Sequence, residues 1–325
     1  MSEVTRWAPM IPDERPLSQY SVAVLIPIHN GESFIRRALE AVHNQTHKKV
    51  RVIAIDDAST DATPRLLEEY KDCITVLKSS AKNQAAALNV GLRYVTEDFV
   101  ALLDVDDLWT PDKISVQLEA WSKNPCSLIV TDFARGDPLL HDWKSAWDTE
   151  GYQHVTTGCA FEALLQENFI LRSSVLVPTN VLKDLNGFDE SISGTDDLDM
   201  WLRIAEKSQI LAIRKVCCFK SVHKDAMSLS LKSNLSRVNM WRKWFKYLRH
   251  RDPKHYAIAK EQLCGFMFNY AYLNYRNKGG NRGVAAQYFV KCFLSGRREI
   301  KALLLAIYCV ILFFTDRLLP RRLVK

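Results

Sequence analysis

The chain has 325 residues, enough for one large domain with an appendage or for two modest ones. An apolar share of 47% and a charged share of 25% exclude wholesale disorder and leave material for a packed core. The net charge of +7 conceals an asymmetry, because residues 231–325 hold 20 Lys and Arg against 4 Asp and Glu, whereas residues 1–230 hold 24 against 33: an acidic body carries a basic tail.

Residues 1–20 read as an irregular lead-in, polar and punctuated by prolines, without the apolar stretch of a secretory leader. Val22 to Ile26 is a short β-branched run ending at Pro27, which predicts a buried parallel strand. Residues 32–45 carry Phe34, Ile35, Leu39 and Val42 at helical spacing. Val50 to Ile55 is a second strand that ends in Asp56-Asp57, and Thr63 to Tyr70 a helix with Pro64 in its first turn. A third strand over Ile74–Leu77, a helix over Ala85–Tyr94 and a fourth strand over Phe99–Leu103, ending at Asp104, continue the alternation. That alternation predicts a parallel sheet with right-handed crossovers.

Beyond residue 111 the pattern loosens. A helix over 112–123, a strand over Leu128–Asp132, a loop-rich stretch over 134–160 and an apolar segment over 172–182 follow. Asp196–Glu206 reads as an amphipathic helix with Leu198, Trp201, Leu202 and Ala205 on one face, and Ile210–Phe219 as a strand. After residue 232 everything reads helical. The eight cysteines show no repeated short spacing, and the adjacent Cys217-Cys218 suits neither a zinc knuckle nor an ordinary disulfide, so reduced thiols in a cytoplasmic protein are expected.

In open α/β sheets, functional groups gather beyond the carboxyl ends of the strands. His29-Asn30, Asp56-Asp57 and Asp104-Val105-Asp106-Asp107 all fall there, a coincidence that points to a nucleotide-type site. An Asp-x-Asp turn suits Mn²⁺ or Mg²⁺, hard cations that share their ligands between one or two carboxylates and substrate phosphates. Alone, the same string would serve as an Asx-turn leading to Pro111. Trp109, Trp143 and Trp147 are better candidates than Trp201 to stack on a sugar face, with core packing as the default for each.

Taken together the motifs resemble the family 2 glycosyltransferases. VAVLIPIHNGESFIRRALEAVHNQT looks like that family's first strand, loop and helix, and IAIDDASTDAT its nucleotide-binding signature, with Ala58 and Ala62 where glycines are usual. NQAAALNVGL, ALLDVDDLWTPDKI, LNGFDE and GTDDLDMWLRIA extend the resemblance from about Val22 to Ser230. It implies a GT-A fold, an α/β architecture with a Rossmann-like, mostly parallel sheet flanked by helices and a C-terminal helical extension. It divides the chain into a lead-in over 1–20, a GT-A domain over 21–230 and a basic helical region over 231–325. It also implies roles. Pro27 and His29 would line the nucleobase and ribose pocket, Glu32 would contact the nucleoside and Asp57 the base. Asp104 would face the ribose or metal, Asp106 would be the principal metal ligand, and Asp197 the general base, with Asp196 in the place of the usual Glu. His223 would approach the metal or diphosphate, and Lys220 stands where an arginine is common. Leu88 and Ala85 depart from the arginine and glycine frequent in the third-strand segment.

The implied activity is inverting transfer of a sugar from a nucleotide sugar, by default a UDP-sugar, to a hydroxyl of a glycan or lipid-linked acceptor in cell-surface glycan synthesis. No Q-x-x-R-W motif is present, so one transfer per binding event is expected. Residues 302–314 form an apolar run flanked by Arg297, Arg298, Lys301 and Arg317. That run is shorter than the ~20 residues of a spanning helix. Its basic flanks favour peripheral contact of 297–325 with the cytoplasmic face of a membrane. A nucleic-acid partner is not expected. A non-catalytic nucleotide- or lipid-surface-binding module and a nucleotidyltransferase are the rival readings, the latter disfavoured because Pro27-Ile28-His29-Asn30-Gly31-Glu32 lacks a glycine- and lysine-rich phosphate loop.

Overall fold

The computed structural model describes residues 10–136, 143–149, 160–192, 194–221, 231–276, 280–294 and 303–310. The chain forms two compact units, residues 1–225 and 226–325.

The first unit is built on one eight-stranded sheet of order β3-β2-β1-β4-β7-β6-β8-β5. Its parallel half comprises β3 (Thr75–Ser79), β2 (Val50–Asp57), β1 (Val22–Ile28) and β4 (Phe99–Leu102). β7 (Val175–Pro178) runs antiparallel between β4 and β6 (Leu128–Arg135). β8 (Ile210–Lys220) pairs parallel with β6, and the two-residue β5 (Leu108–Trp109) closes that edge antiparallel to β8. The expected mixed, mostly parallel sheet flanked by helices is therefore what forms. β1 is buried along its whole length because helices cover both faces of the sheet, which is why its sequence shows no alternation. Beneath β1 and β4, Tyr20, Phe99 and Trp121 pack edge to face with ring centroids 4.9 to 6.1 Å apart.

β1 runs through Pro27 to Ile28 rather than ending at the proline. Leu25 accepts from the amide of Leu103 on the β4 side, and Pro27, two residues on, faces that same side. β4 has ended there, so the proline's missing N–H breaks no ladder bond. The helices α1 (Ile35–His43), α2 (Thr63–Glu69), α3 (Gln84–Leu92) and α4 (Lys113–Lys123) follow the strands as the alternation requires. Two shifts of register between β6 and β8, around Asp132, kink that pair. The segment 172–182 splits into a 3-10 turn at Arg172–Ser174, β7, and α7 (Thr179–Asp184). Short helix α5 (Ala146–Thr149) lies within the stretch expected to be loop-rich, α6 (Ala160–Gln166) begins where that stretch ends, and α8 (Asp196–Lys207) precedes β8.

The second unit is helical: α9 (Leu231–Leu248), α10 (Pro253–Arg276), α11 (Arg282–Leu294) and a helical stretch over 303–310. Ala271, Ala285, Ala286, Phe289, Ala306 and Cys309 form its buried cluster, where small residues let the helices approach closely. Trp241 stacks on Phe266 at 6.4 Å and Phe245 on Tyr256 at 4.8 Å. Among the described residues no helix is long and apolar enough to cross a membrane, and no disulfide forms.

Candidate active site

Two loops meet at the carboxyl ends of β1 and β2. Asn30 takes a left-handed conformation (φ 55°), so its amide donates to Ser59 Oγ at 3.0 Å while its side-chain oxygen accepts from the Thr60 amide at 2.8 Å. The Gly31 amide donates to Thr63 Oγ1 at 2.8 Å. A side chain at Gly31 would meet Ile28 at 2.8 Å and Val105 at 3.3 Å, so this glycine seats the first loop against the Asp-x-Asp turn. Glu32 accepts from the Ala62 amide at 2.8 Å, which commits its carboxylate to the start of α2. His29 Nδ1 lies 2.8 Å from the carbonyl of Asp57. That carbonyl can only accept, so Nδ1 donates, and in the neutral ring Nε2 is an acceptor, 3.5 Å from Asn30 Nδ2.

Asp57 is 5% exposed, and its carboxylate gathers the β3–α3 loop: it accepts from Ser79 Oγ at 2.8 Å and from the amides of Lys82 at 3.0 Å and Asn83 at 2.7 Å. Asn83 then caps α3 by accepting from the Ala85 amide at 3.0 Å. Leu88 and Ala85 are fully buried core residues of α3, which accounts for the lack of a polar side chain at either position.

In the turn after β4, the Asp104 and Asp107 carboxylates are held by different partners. Asp104 accepts on Oδ1 from Gln84 Nε2 at 2.8 Å and from Arg172 Nη1 at 3.2 Å, and its amide donates to Ser173 Oγ at 3.0 Å. Asp106 is half-buried in the same turn. Asp107 is 2% exposed, accepts from Ser173 Oγ at 2.6 Å and from the Ser221 amide at 3.1 Å, and is pushed up to about 8 by burial and by Asp104 and Asp106. Asp107 thus ties the turn to the end of β8.

The opposite wall comes from α8. Asp196 is fully buried; its Oδ2 accepts from Arg172 Nη2 at 3.0 Å and its Oδ1 from the Gly194 amide at 3.2 Å. Burial raises its carboxyl to about 6 against the opposing pull of Arg172, whose guanidinium the surrounding carboxylates hold protonated. Asp197 is half-buried and accepts from Asn168 Nδ2 at 3.3 Å. Behind it, Asn89 of α3 bonds both the amide and carbonyl of Phe188, and Arg203 bonds the carbonyls of Leu185 and Gly187 at 3.0 Å each. The Leu185–Glu190 loop is thereby fastened between α3 and α8.

Asp104 and Asp197 line one pocket of about 140 Å³ with Phe133, Arg135, Asn168, Ile170, Leu171, Arg172 and Lys220. Pro27, His29 and Asp57 cluster at the ends of β1 and β2, and Glu32 sits on the α2 side of that cluster. His223 lies outside the described residues. Two of the three tryptophans take the core packing that is the default for each, and neither is placed to stack on a sugar. Trp109 is 6% exposed with Nε1 donating to the Ser173 carbonyl at 2.7 Å, and Trp147 is 2% exposed with Nε1 donating to the Phe169 carbonyl at 3.1 Å. Both are core, because in each the apolar body is packed and the indole N–H finds an internal partner. Trp143 is the exposed one, edge-on to Phe219.

Among the described residues no group of three or more His, Cys, Asp or Glu is arranged to hold a metal ion. Asp104 and Asp106 share one turn, with Asp104 Oδ1 engaged by Gln84 and Arg172 and Asp107 committed to Ser173 and Ser221. Carboxylate oxygens are the donor type that Mn²⁺ or Mg²⁺ takes beside phosphate oxygens. Arg172, Ser173, Gln84 and Asn168 were not legible as site residues. The one signal for Arg172 was a lone cation within the apolar run Phe169–Pro178.

Residues 23–173 match the model of glycosyl transferase family 2. An uncharacterized glycosyltransferase of Rickettsia typhi is 26% identical over 66% of this chain and 67% of its own length. The Escherichia coli enzyme WfgD, a UDP-Glc:α-D-GlcNAc-diphosphoundecaprenol β-1,3-glucosyltransferase, is 26% identical over 61% of this chain and 74% of its own. Several longer relatives are spanned over 39% of their length or less. Among solved structures, residues 1–349 of Staphylococcus aureus TarS in complex with UDP-GlcNAc superpose with a TM-score of 0.62 at 15% identity, covering 91% of this chain and 89% of that one. That likeness is one of fold.

Proposed function

From residues 23–173, which make this chain a member of glycosyl transferase family 2, we propose that it is an inverting, non-processive glycosyltransferase using a nucleotide sugar, with UDP as the favoured nucleotide. The observation that carries this reading is that Asp104, on the donor side, and Asp197, on the α8 side, line one pocket. Pro27, His29 and Asp57 form the nucleoside end of the donor site, Asp57 through the loop it gathers. Glu32 holds the α2 side of it.

Mn²⁺ or Mg²⁺ would be held by Asp106 with Asp104, and His223 is the remaining candidate ligand. When bound, such an ion neutralises the charge that grows on the departing diphosphate. Asp197 takes the proton of the acceptor hydroxyl as its oxygen attacks the anomeric carbon. The bond from that carbon to the diphosphate oxygen breaks with its electron pair on the diphosphate, and attack from the opposite face inverts the configuration. Asn168 orients the Asp197 carboxylate. The acceptor class we favour is a glycan or lipid-linked glycan in cell-surface polysaccharide assembly, the class to which the WfgD acceptor belongs.

The second unit would bring the enzyme to the cytoplasmic face of a membrane. Leu294, Leu304, Ile307, Tyr308 and Val310 are exposed apolar side chains there, 42% to 75% accessible, in the region that carries the basic excess. A panel of UDP-, GDP- and TDP-sugars, followed for hydrolysis with and without Mn²⁺, tests the whole reading. Turnover of one nucleotide class that needs the metal and is lost in Asp106→Ala is expected. A metal requirement unchanged in Asp106→Ala would count against that ligand, and no turnover of any member against the function.

A further inference from the structure

Resting on the transferase reading above, we propose that Arg172 is a positioning residue for the transfer step: one guanidinium fixes the donor-side carboxylate Asp104 relative to the helix that carries Asp197, and keeps Asp196 out of the pocket so that Asp197 alone meets the acceptor. Arg172 is 7% exposed and enters from the 3-10 turn just before β7. A buried cation needs opposite charge close by to offset its lost hydration. Its two terminal nitrogens reach two carboxylates from different walls of the site, Nη1 to Asp104 at 3.2 Å and Nη2 to Asp196 at 3.0 Å. Nε has no hydrogen-bond partner among the described residues. The side chain is thus held for its two ends, a span that only a planar fork offers.

Two further contacts make the arrangement directional. Gln84 shares Oδ1 of Asp104 with Arg172, so the donor-side carboxylate is gripped by one oxygen only. The adjacent Ser173 accepts from the Asp104 amide and donates to Asp107, so consecutive residues hold the same turn by side chain and by hydroxyl. Of the Asp196-Asp197 pair, Asp196 is fully buried against Arg172 while Asp197 lines the pocket.

The test uses the full chain with UDP-glucose, UDP-GlcNAc and GDP-mannose in Mn²⁺, comparing wild type, Arg172→Lys, Arg172→Ala and Asp197→Asn. Lysine keeps the charge but reaches one carboxylate, so kcat should fall by about 10–100-fold with donor KM unchanged, the loss expected when reacting groups drift by about 1 Å. Added guanidinium should restore turnover to Arg172→Ala and leave Asp197→Asn unimproved. A merely structural role would lower the melting temperature without moving kcat of the folded protein. Wild-type kcat in Arg172→Lys, with Asp197→Asn impaired, overturns the proposal and leaves the transferase reading standing. Wild type inactive on every donor overturns that reading and this proposal with it. Should Arg172→Ala fail to fold, the kcat of Arg172→Lys decides.

Discussion

Ala58 follows the Asp56-Asp57 pair at φ 57°, a conformation that costs an L-residue about 1–2 kcal/mol. The turn is forced because the Ser59 amide must reach Asp56 Oδ1 at 3.1 Å while Asp57 faces the next loop. Glycine removes the strain and gives back roughly 0.5–1 kcal/mol of chain entropy. Ala58→Gly should therefore be neutral to stabilising, by up to about 1 kcal/mol in urea unfolding, and a clear loss would mean the methyl group packs usefully. Asp197→Asn should lower turnover ~10²–10⁴-fold while UDP binding by calorimetry survives; near-wild-type turnover would remove Asp197 as the base. Lys113 gives a prediction in pH. It is fully buried between Gln117 Oε1 at 2.8 Å and the Val175 carbonyl at 3.1 Å, over the Trp109 ring, and burial pushes its ammonium from 10.5 down to about 8. Between those two values the unfolded chain keeps a proton that the folded chain has released, so this group makes stability rise with pH there. The stability of wild type minus that of Lys113→Met should climb from pH 8 to 10, and a flat or falling difference would show that Lys113 stays charged in the fold.

At the scale of elements, the loop after α7 is fastened by a fit rather than by a motif. Gly187 has φ 70°, and a Cβ there would stand 2.3 Å from Asn89 Oδ1. Gly187→Ala should cost about 1–3 kcal/mol by chemical denaturation. The cost should shrink when Asn89→Ala is added, since truncating Asn89 removes the clash; strict additivity would argue against the clamp. Much of this architecture was legible. The runs Val22–Ile26, Val50–Ile55 and Phe99–Leu103 have the apolar, β-branched character that only a doubly covered strand needs, and their ends carry the acids. β7 was hidden because Val175–Pro178 is too short to show a period and lies next to Arg172, and β5 because two residues carry no pattern at all. The same limit applied to the site. A carboxylate after a strand can be read in one dimension, but a guanidinium joining residues 68 and 24 positions away cannot.

At the scale of the whole molecule, the candidate site lies in the unit 1–225, and the exposed apolar side chains Leu294, Leu304, Ile307, Tyr308 and Val310 lie in the unit 226–325. A chain ending before Arg297 should lose most of its binding to anionic vesicles in a flotation assay, while donor hydrolysis persists. Binding by the full chain should weaken in salt, at ~1 kcal/mol per basic residue near the surface at low ionic strength. Equal flotation of both chains would end the membrane proposal. The first unit holds one more consequence, at its centre. β1 outruns β4 by three residues, since Leu25 pairs with Leu102 whereas Ile28 still pairs with Asp56. That leaves a step about 10 Å deep in the middle of the sheet. At such a step a sheet tends to keep zipping, because any bare edge with both a donor and an acceptor recruits the next strand. Pro27 offers the acceptor alone, so the zipper has a stop. The chain after Leu102 is released into a turn, and the acids are carried by an interruption that the proline protects.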